Sequence, residues 1–458
     1  MRNAVAIVAI VAYVGYHVAM LLQRRDAYLA SGLGPVGSGS AVKDVAAFAL
    51  LSLPRLVRYL TTGPIVASAH AAALEGYHQR LQLNQMGGAL HNLTDSPHFA
   101  ENFYFWASLP NNNTEFVLST RLSFYGKGGA HVVPWFSISY KGEQWNLPDE
   151  FESTCEAHDH AKDPRVAHAK GLGELYFEVV TPLKRWTLSY KGLVQNEKTG
   201  AREHVDARFD LEFSDQDVFL YQVHWDELAA ALALAQKPWT RQVLQDLRSQ
   251  NQERYASRTH KASGQITFGG GKQITLPSLL SSRDHNWGIR DWLYIYRYLW
   301  WPPIHFASPI VIDGVAYTYF LGSFVEYGIT FSDLIVGGLV ADDGHVASFS
   351  GATPLKEIAP AWFAAQPSKR GQGIGAKLVP AQQTMTFGLL QSTYALHVRV
   401  AHRGPPLWSH SFLLIDGDFE IHEAQALFEI TLTAMGSTDV LAKTTAQGLW
   451  EFGAPLAA

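Results

Sequence analysis

Short runs rich in β-branched and aromatic residues recur along most of this chain, each closed by a turn signal. Residues 116–124, 131–140, 174–180, 186–193 and 205–213 are such runs, separated by turns such as Gly126-Lys127-Gly128-Gly129 and Lys198-Thr199-Gly200. Evenly spaced short strands of this kind predict a mainly β fold, sandwich or barrel. Strand patterns resume at 264–268 and continue to Trp450-Glu451-Phe452, with Asp313-Gly314 as a hairpin turn. Between the two β halves, 226–236 is Ala/Leu-rich, Pro238 breaks it and 239–254 continues as helix. The expected organisation is a first β domain over 91–224, a helical connector over 225–258 and a second β domain over 259–455. The 458 residues give ample core for this, and 13 Trp, 19 Tyr and 24 Phe favour a large aromatic interior.

The N-terminal part has a different character. Residues 4–22 carry no formal charge and are long enough to cross a bilayer, with Arg2 before them and Arg24-Arg25 after. The expectation is a transmembrane anchor over 1–29 and a single-pass protein of an organelle membrane. The mitochondrial inner membrane and the secretory route are both open, and the alternative is a targeting peptide removed on maturation. Residues 30–90 then read as a Gly/Ser linker and two helices, 42–60 and 62–85. The first would lie along a membrane surface or pack on the soluble part. Expected partners are the lipid bilayer, a hydrophobic small molecule and other subunits of a membrane complex. The net charge of −5 offers no basic field for nucleic acid. Cys155 is the only cysteine, which excludes a disulfide framework and any multi-cysteine metal site.

Candidate chemistry concentrates in Arg283-Asp284-His285-Asn286-Trp287-Gly288-Ile289-Arg290-Asp291-Trp292. Read as a strand, it puts Arg283, His285 and Trp287 on one face and Asp284 and Asn286 on the other. A His beside a Trp can protonate a group and stack on the cation produced. It can equally be a polar lock between strands. Arg283, Arg290 and Asp291 are supporting partners. Trp292, Tyr294, Tyr296, Tyr298 and Trp300 then occupy alternate positions, an aromatic face fit to line a lipophilic pocket, pack domains or meet a membrane. Glu326 and Asp333 lie in apolar runs and are candidate buried acids. Cys155, His158, His160 and His168 fall in a polar stretch that reads as an exposed loop, so no metal is expected. Gly269-Gly270-Gly271-Lys272 lacks phosphate-loop spacing and reads as a β-turn.

The stretch 283–292 resembles the RDH-x-WG-x-RDW signature of the lipocalin-like AttH/carotenoid 1,2-hydratase superfamily, which includes hydroxyneurosporene synthase. Glu253-Arg254-Tyr255, Glu101-Asn102-Phe103-Tyr104-Phe105 and Thr181-Pro182-Leu183-Lys184-Arg185-Trp186 fit the same resemblance, which spans 95–452. It implies two calycin-like antiparallel β-barrels meeting at a cleft, and acid protonation of an isoprenoid double bond. His285 and Trp287 would stand at the active site beside Asp284, and no cofactor is needed. The hydratases also carry a Tyr and an Asp about one strand later; here 309–314 reads Pro-Ile-Val-Ile-Asp-Gly. Two functions follow as expectations. One is hydration, cyclisation or isomerisation of a hydrophobic molecule; the other is a non-catalytic lipid-binding module or accessory subunit.

Overall fold

The computed structural model describes residues 40–62 and most of 99–455, with isolated positions before 24. Breaks fall at 111–114, 127–130, 149, 154–155, 158–165, 215–217, 222–223, 250–251, 290–294, 367–375, 391–392, 403–407 and 413–418. The described residues are mainly strand.

Two antiparallel sheets carry the fold. In the second, Ile295–Ile312, Val315–Tyr327, Leu334–Ala341, Val346–Ala352, Gln382–Leu389, Tyr394–His402, Phe419–Ala434 and Val440–Pro455 pair in chain order. The last returns to the first, which closes an eight-stranded barrel. In the first sheet Phe99–Ser108, Phe116–Tyr125, His131–Tyr140, Glu143–Asn146, Arg185–Asn196, Arg202–Phe213, Gln252–Phe268 and Leu280–Ile289 also pair in sequence. Leu280–Ile289 then pairs back onto Phe99–Ser108. Closure removes free edges, and each barrel interior is filled by side chains. The Asp313-Gly314 turn has positive φ at both residues, 50° and 83°, and joins Ile312 opposite Val315, as the sequence predicts.

The strands at 252–289, most of which the sequence reading grouped with the second β half, are hydrogen-bonded into the first sheet. Their periodicity is hidden because polar side chains face inward: Ser257, Thr259 and Arg283 are all buried. The helical pattern also ends earlier than expected. The connector consists of Glu227–Gln236 and Arg241–Ser249, and residues 252–258 are strand. Asp226 caps the first helix, accepting from the backbone N–H of Leu228 and Ala229 at 2.9 Å each.

The Ala41–Thr62 helix packs on the connector. Ala47 and Phe48 join the buried face of the Ala-rich Glu227–Gln236 helix, and Lys43 donates to the carbonyl of Lys237 at 2.7 Å. Most of 4–22, and all of the second expected helix beyond 62, lie outside the described residues. Among the described residues no helix is long and apolar enough to cross a membrane. The expected transmembrane helix and single-pass membrane placement are corrected on that finding.

The outer faces of the two barrels meet. Tyr104, Trp106, Val117 and Trp135 of the first pack against Ile295, Tyr298, Trp300, Phe419, Ile421 and Leu449 of the second. The Phe99–Ser108 strand is therefore buried on both faces: Phe103 and Phe105 fill its barrel while Tyr104 and Trp106 face the neighbour.

Candidate functional site

Where the two outer faces diverge they leave a cleft of about 90 Å³. Its walls come from both barrels: Asn102, Tyr104, Arg121, Arg254, Asp284 and Asn286 from the first, and Tyr298, Trp300, Ser323, Tyr327 and Glu451 from the second.

The chemistry behind this cleft is a pair of carboxyls. Glu423 and Glu451 stand directly opposite each other on the Phe419–Ala434 and Val440–Pro455 strands, on the face turned toward the first barrel. Both are buried. Glu451 accepts from Arg121 Nη2 at 3.1 Å through Oε2, and a short hydrogen bond from the Tyr298 hydroxyl through Oε1. Glu423 accepts from Ser119 Oγ at 2.8 Å through Oε2. Ser119 Oγ is also 3.3 Å from the Tyr104 hydroxyl. Serine has one proton and gives it to Glu423, so the Tyr104 phenol donates to Ser119. The result is a chain that starts and ends on phenols lining the cleft: Tyr298, Glu451, Glu423, Ser119, Tyr104.

Burial raises Glu423 well above the ordinary carboxyl value of 4.5, and the adjacent Glu451 raises it further; Arg121 and Ser119 oppose this. The remaining oxygen, Oε1, is buried without a hydrogen-bond partner among the described residues, and the Glu451 carboxyl opposite it on the neighbouring strand disfavours its ionisation. Two buried carboxyls side by side resist ionising together, which favours the protonated form of Glu423. Burial likewise holds Tyr104 well above its ordinary value, helped by Glu423 and Glu451, so it remains a phenol. Burial works against the charge on Arg121, but Glu451, Tyr125, Tyr298 and Glu423 together outweigh it, and the guanidinium stays charged over the rings of Tyr104 and Trp135.

The sign of the pH effect follows. Glu423 has a folded value above its unfolded one, so its contribution to stability is complete below about 4.5 and is lost as pH rises toward the folded value. Relative to Glu423→Gln, wild-type stability should fall above that point by up to about 1.4 kcal/mol per pH unit until Glu423 ionises. Urea unfolding of both proteins across the pH range checks this; parallel stability curves would remove the proton from Glu423.

Tyr298 is aimed by close packing. It lies opposite Gly453 across the strand pair, and a Cβ on Gly453 would come 1.9 Å from Tyr298 Cε1. Gly453→Ala should push the ring off its carboxylate and cost about 1–3 kcal/mol by overpacking. A denaturant melt gives the cost. The ring displacement should appear as a change in the Tyr298 resonances.

The residues singled out in the sequence divide between two places. Asp284 and Asn286 face the cleft. Asp284 accepts from Arg254 Nε at 2.7 Å and Asn286 Nδ2 at 3.0 Å, and Asn102 donates to Asn286 at 2.9 Å. His285, Trp287 and Arg283 project the other way, into the first barrel. His285 Nε2 is 2.8 Å from Glu101 Oε1, and its ring stacks on Phe103 with centroids 4.2 Å apart. Trp287 lies 4.7 Å from that ring. Arg283 donates to Ser257 Oγ and the Leu183 carbonyl, both at 2.8 Å, and sits 4.1 Å over Phe213. Asp284 and His285 are thus kept apart by the strand between them.

The aromatic face is also split. Pairing slips between Ile295 and Arg297, which leaves Tyr298 and Trp300 in the cleft. Tyr296 donates instead to the Phe363 carbonyl at 3.3 Å. Arg290, Asp291, Trp292 and Tyr294 lie outside the described residues, as do Cys155, His158 and His160. Of the acids expected to be buried, Glu326 pairs with Lys237 at 2.6 Å. Asp333 is raised by burial while accepting from the Leu355 N–H at 2.9 Å. Glu423 and Glu451 were not among the sequence candidates. The local signal for Glu451 is an acid between two aromatic residues, Trp450-Glu451-Phe452, and Glu423 follows His422 in a strand of mixed polarity.

No family model and no curated protein matches this chain. Solved structures do. CghA is 10% identical, with 81% of this chain and 94% of that one covered and a TM-score of 0.44. An AttH-type protein of Nitrosomonas europaea is 13% identical, covering 80% and 96%, with a TM-score of 0.43. Kievitone hydratase from Nectria haematococca is 10% identical, covering 81% and 91%, with a TM-score of 0.37. All three are lipocalin-like.

Proposed function

We propose that the inter-barrel cleft is the active site of an acid catalyst that protonates a carbon–carbon double bond in a largely hydrophobic molecule. The observation that carries this is the buried, directly opposed Glu423–Glu451 pair, with Glu451 lining the cleft and Glu423 held well above the ordinary carboxyl value. A buried acid with a raised pKa keeps its proton at neutral pH and gives it up only to a positioned acceptor. Protonation of an alkene carbon makes a new C–H bond from the π pair and leaves a carbocation, with the carboxyl pair one proton poorer. Faces of Trp300, Tyr104 and Tyr298 line the space where that charge develops. Water addition, attack by a second double bond, or loss of a neighbouring proton then ends the reaction as hydration, cyclisation or isomerisation. Each route returns one proton to the pair. Asp284, held by Arg254, is the second carboxylate within the cleft and a candidate base.

Drug-sized ligands occupy roughly 300–1,000 Å³. A cleft of about 90 Å³ therefore takes one end of a substrate, or opens to admit more. The small volume favours a second reading, in which the protein binds rather than converts its ligand and the carboxyl pair only fastens the two barrels. Incubation of the purified protein with branched polyenes in D2O separates the two. Acid catalysis places one deuterium on carbon in each product; unchanged, unlabelled polyenes across the panel would favour binding alone.

A further inference from the structure

A second site is formed by residues of the first barrel that share nothing with the lining of the cleft. Three rings, Tyr140, Trp145 and Phe268, surround the Lys272 ammonium at 5.4, 5.6 and 5.4 Å from their centroids. Glu143 Oε2 is 3.9 Å from the same nitrogen. Glu203 accepts from Trp145 Nε1 at 2.9 Å and also lines the pocket, whose volume is about 390 Å³. Trp145 and Phe268 are almost fully buried, whereas the Lys272 side chain is 52% exposed. The rings are fixed by the barrel core; the cation among them is not.

Lys272 ends the Gly269-Gly270-Gly271 turn. Its own carbonyl accepts from the Phe268 N–H at 2.9 Å, and Gly271 donates to the Phe268 carbonyl at 2.8 Å. The turn is therefore tied, and the ammonium leaves the rings by side-chain rotation alone. A primary ammonium is strongly hydrated and gains little from an exposed π face, about 0.5–1 kcal/mol. A quaternary ammonium is weakly hydrated, cannot donate hydrogen bonds and presents methyl groups to the rings. Three converging faces with two carboxylates nearby suit it better than they suit lysine.

We propose that Tyr140, Trp145 and Phe268 form a binding site for a quaternary alkylammonium group, which Lys272 occupies until such a ligand displaces it. The site needs nothing from the carboxyl pair in the cleft, so it stands or falls separately from the proposed catalysis.

Calorimetric titration of the full chain with choline tests this, using 3,3-dimethylbutanol as the uncharged analogue of the same shape. Wild type should bind choline weakly. Lys272→Ser, in an exposed turn, should bind it on the order of fivefold tighter because no resident cation competes. Phe268→Leu combined with Lys272→Ser should lose the gain. Equal binding of the uncharged analogue, or no choline binding by Lys272→Ser with circular dichroism unchanged, would overturn the proposal. Co-sedimentation with phosphatidylcholine vesicles, competed by free choline, assigns the group to a lipid headgroup. Choline binding without co-sedimentation assigns it to a small soluble molecule.

Discussion

Glu451→Gln should lower turnover of any alkene substrate by about 10²–10⁴-fold, the range expected when a positioned general acid is removed. The substitution keeps the shape and the hydrogen bond from Tyr298 but cannot accept and return the proton of the pair. Glu423→Gln should lose a comparable factor, because the acid whose proton is supplied through Glu451 is then gone and Glu451 keeps only its Arg121 and Tyr298 partners. The double variant should be no slower than the slower single one, since the two carboxyls act as a unit. Deuterium incorporation rates in D2O read all three. Activity retained within a few-fold in Glu451→Gln would move the acid elsewhere.

The largest stability effect is expected at His285→Ala. His285 and Glu101 are almost wholly buried and 2.8 Å apart. Removing the imidazole deprives a buried carboxyl of this partner and empties the space stacked on Phe103, so a loss of about 3–5 kcal/mol is expected. Guanidinium unfolding measures it. Catalysis offers the sharper discrimination. His285 faces the first barrel's interior while the carboxyl pair faces the cleft, so the milder His285→Gln should keep activity per folded molecule within a few-fold. Loss of activity with stability intact would make His285 the acid and the lock reading wrong.

The contrast between these two variants traces what the sequence could and could not reveal. Local patterns are local interactions. The strand runs at 116–124, 131–140 and 205–213 and the Asp313-Gly314 turn are all present at or within a few residues of the expected places. The alternation in 283–287 is also correct, with Asp284 and Asn286 on one face and His285 on the other. What that alternation did not say is which face meets the second barrel. The pairing of 280–289 with Phe99–Ser108 joins residues some 184 apart, as in the His285–Glu101 contact. No window of the sequence contains both.

The acid pair was hidden for the same reason. Ser119 reaches Glu423 across 304 residues and Arg121 reaches Glu451 across 330. A single glutamate in an apolar strand is indistinguishable from an outward-facing one until its neighbours are known. Glu326, singled out on that same signal, proves to be paired with Lys237. The aromatic stripe failed at one point: strict alternation assumes continuous pairing, and the slip between Ile295 and Arg297 turns Tyr296 away from Tyr298 and Trp300.

The protonation state of Glu423 is the most direct test of the account. Carbon-13 labelling of the glutamate side-chain carboxyls, followed by NMR from pH 4 to pH 9, reads it without any substrate. One carboxyl should remain protonated at pH 7, and its resonance should vanish in Glu423→Gln while the others titrate as before. If every glutamate carboxyl is ionised by pH 6, or if the protonated resonance survives in Glu423→Gln, the pair holds no proton to donate and the proposed catalysis has no acid.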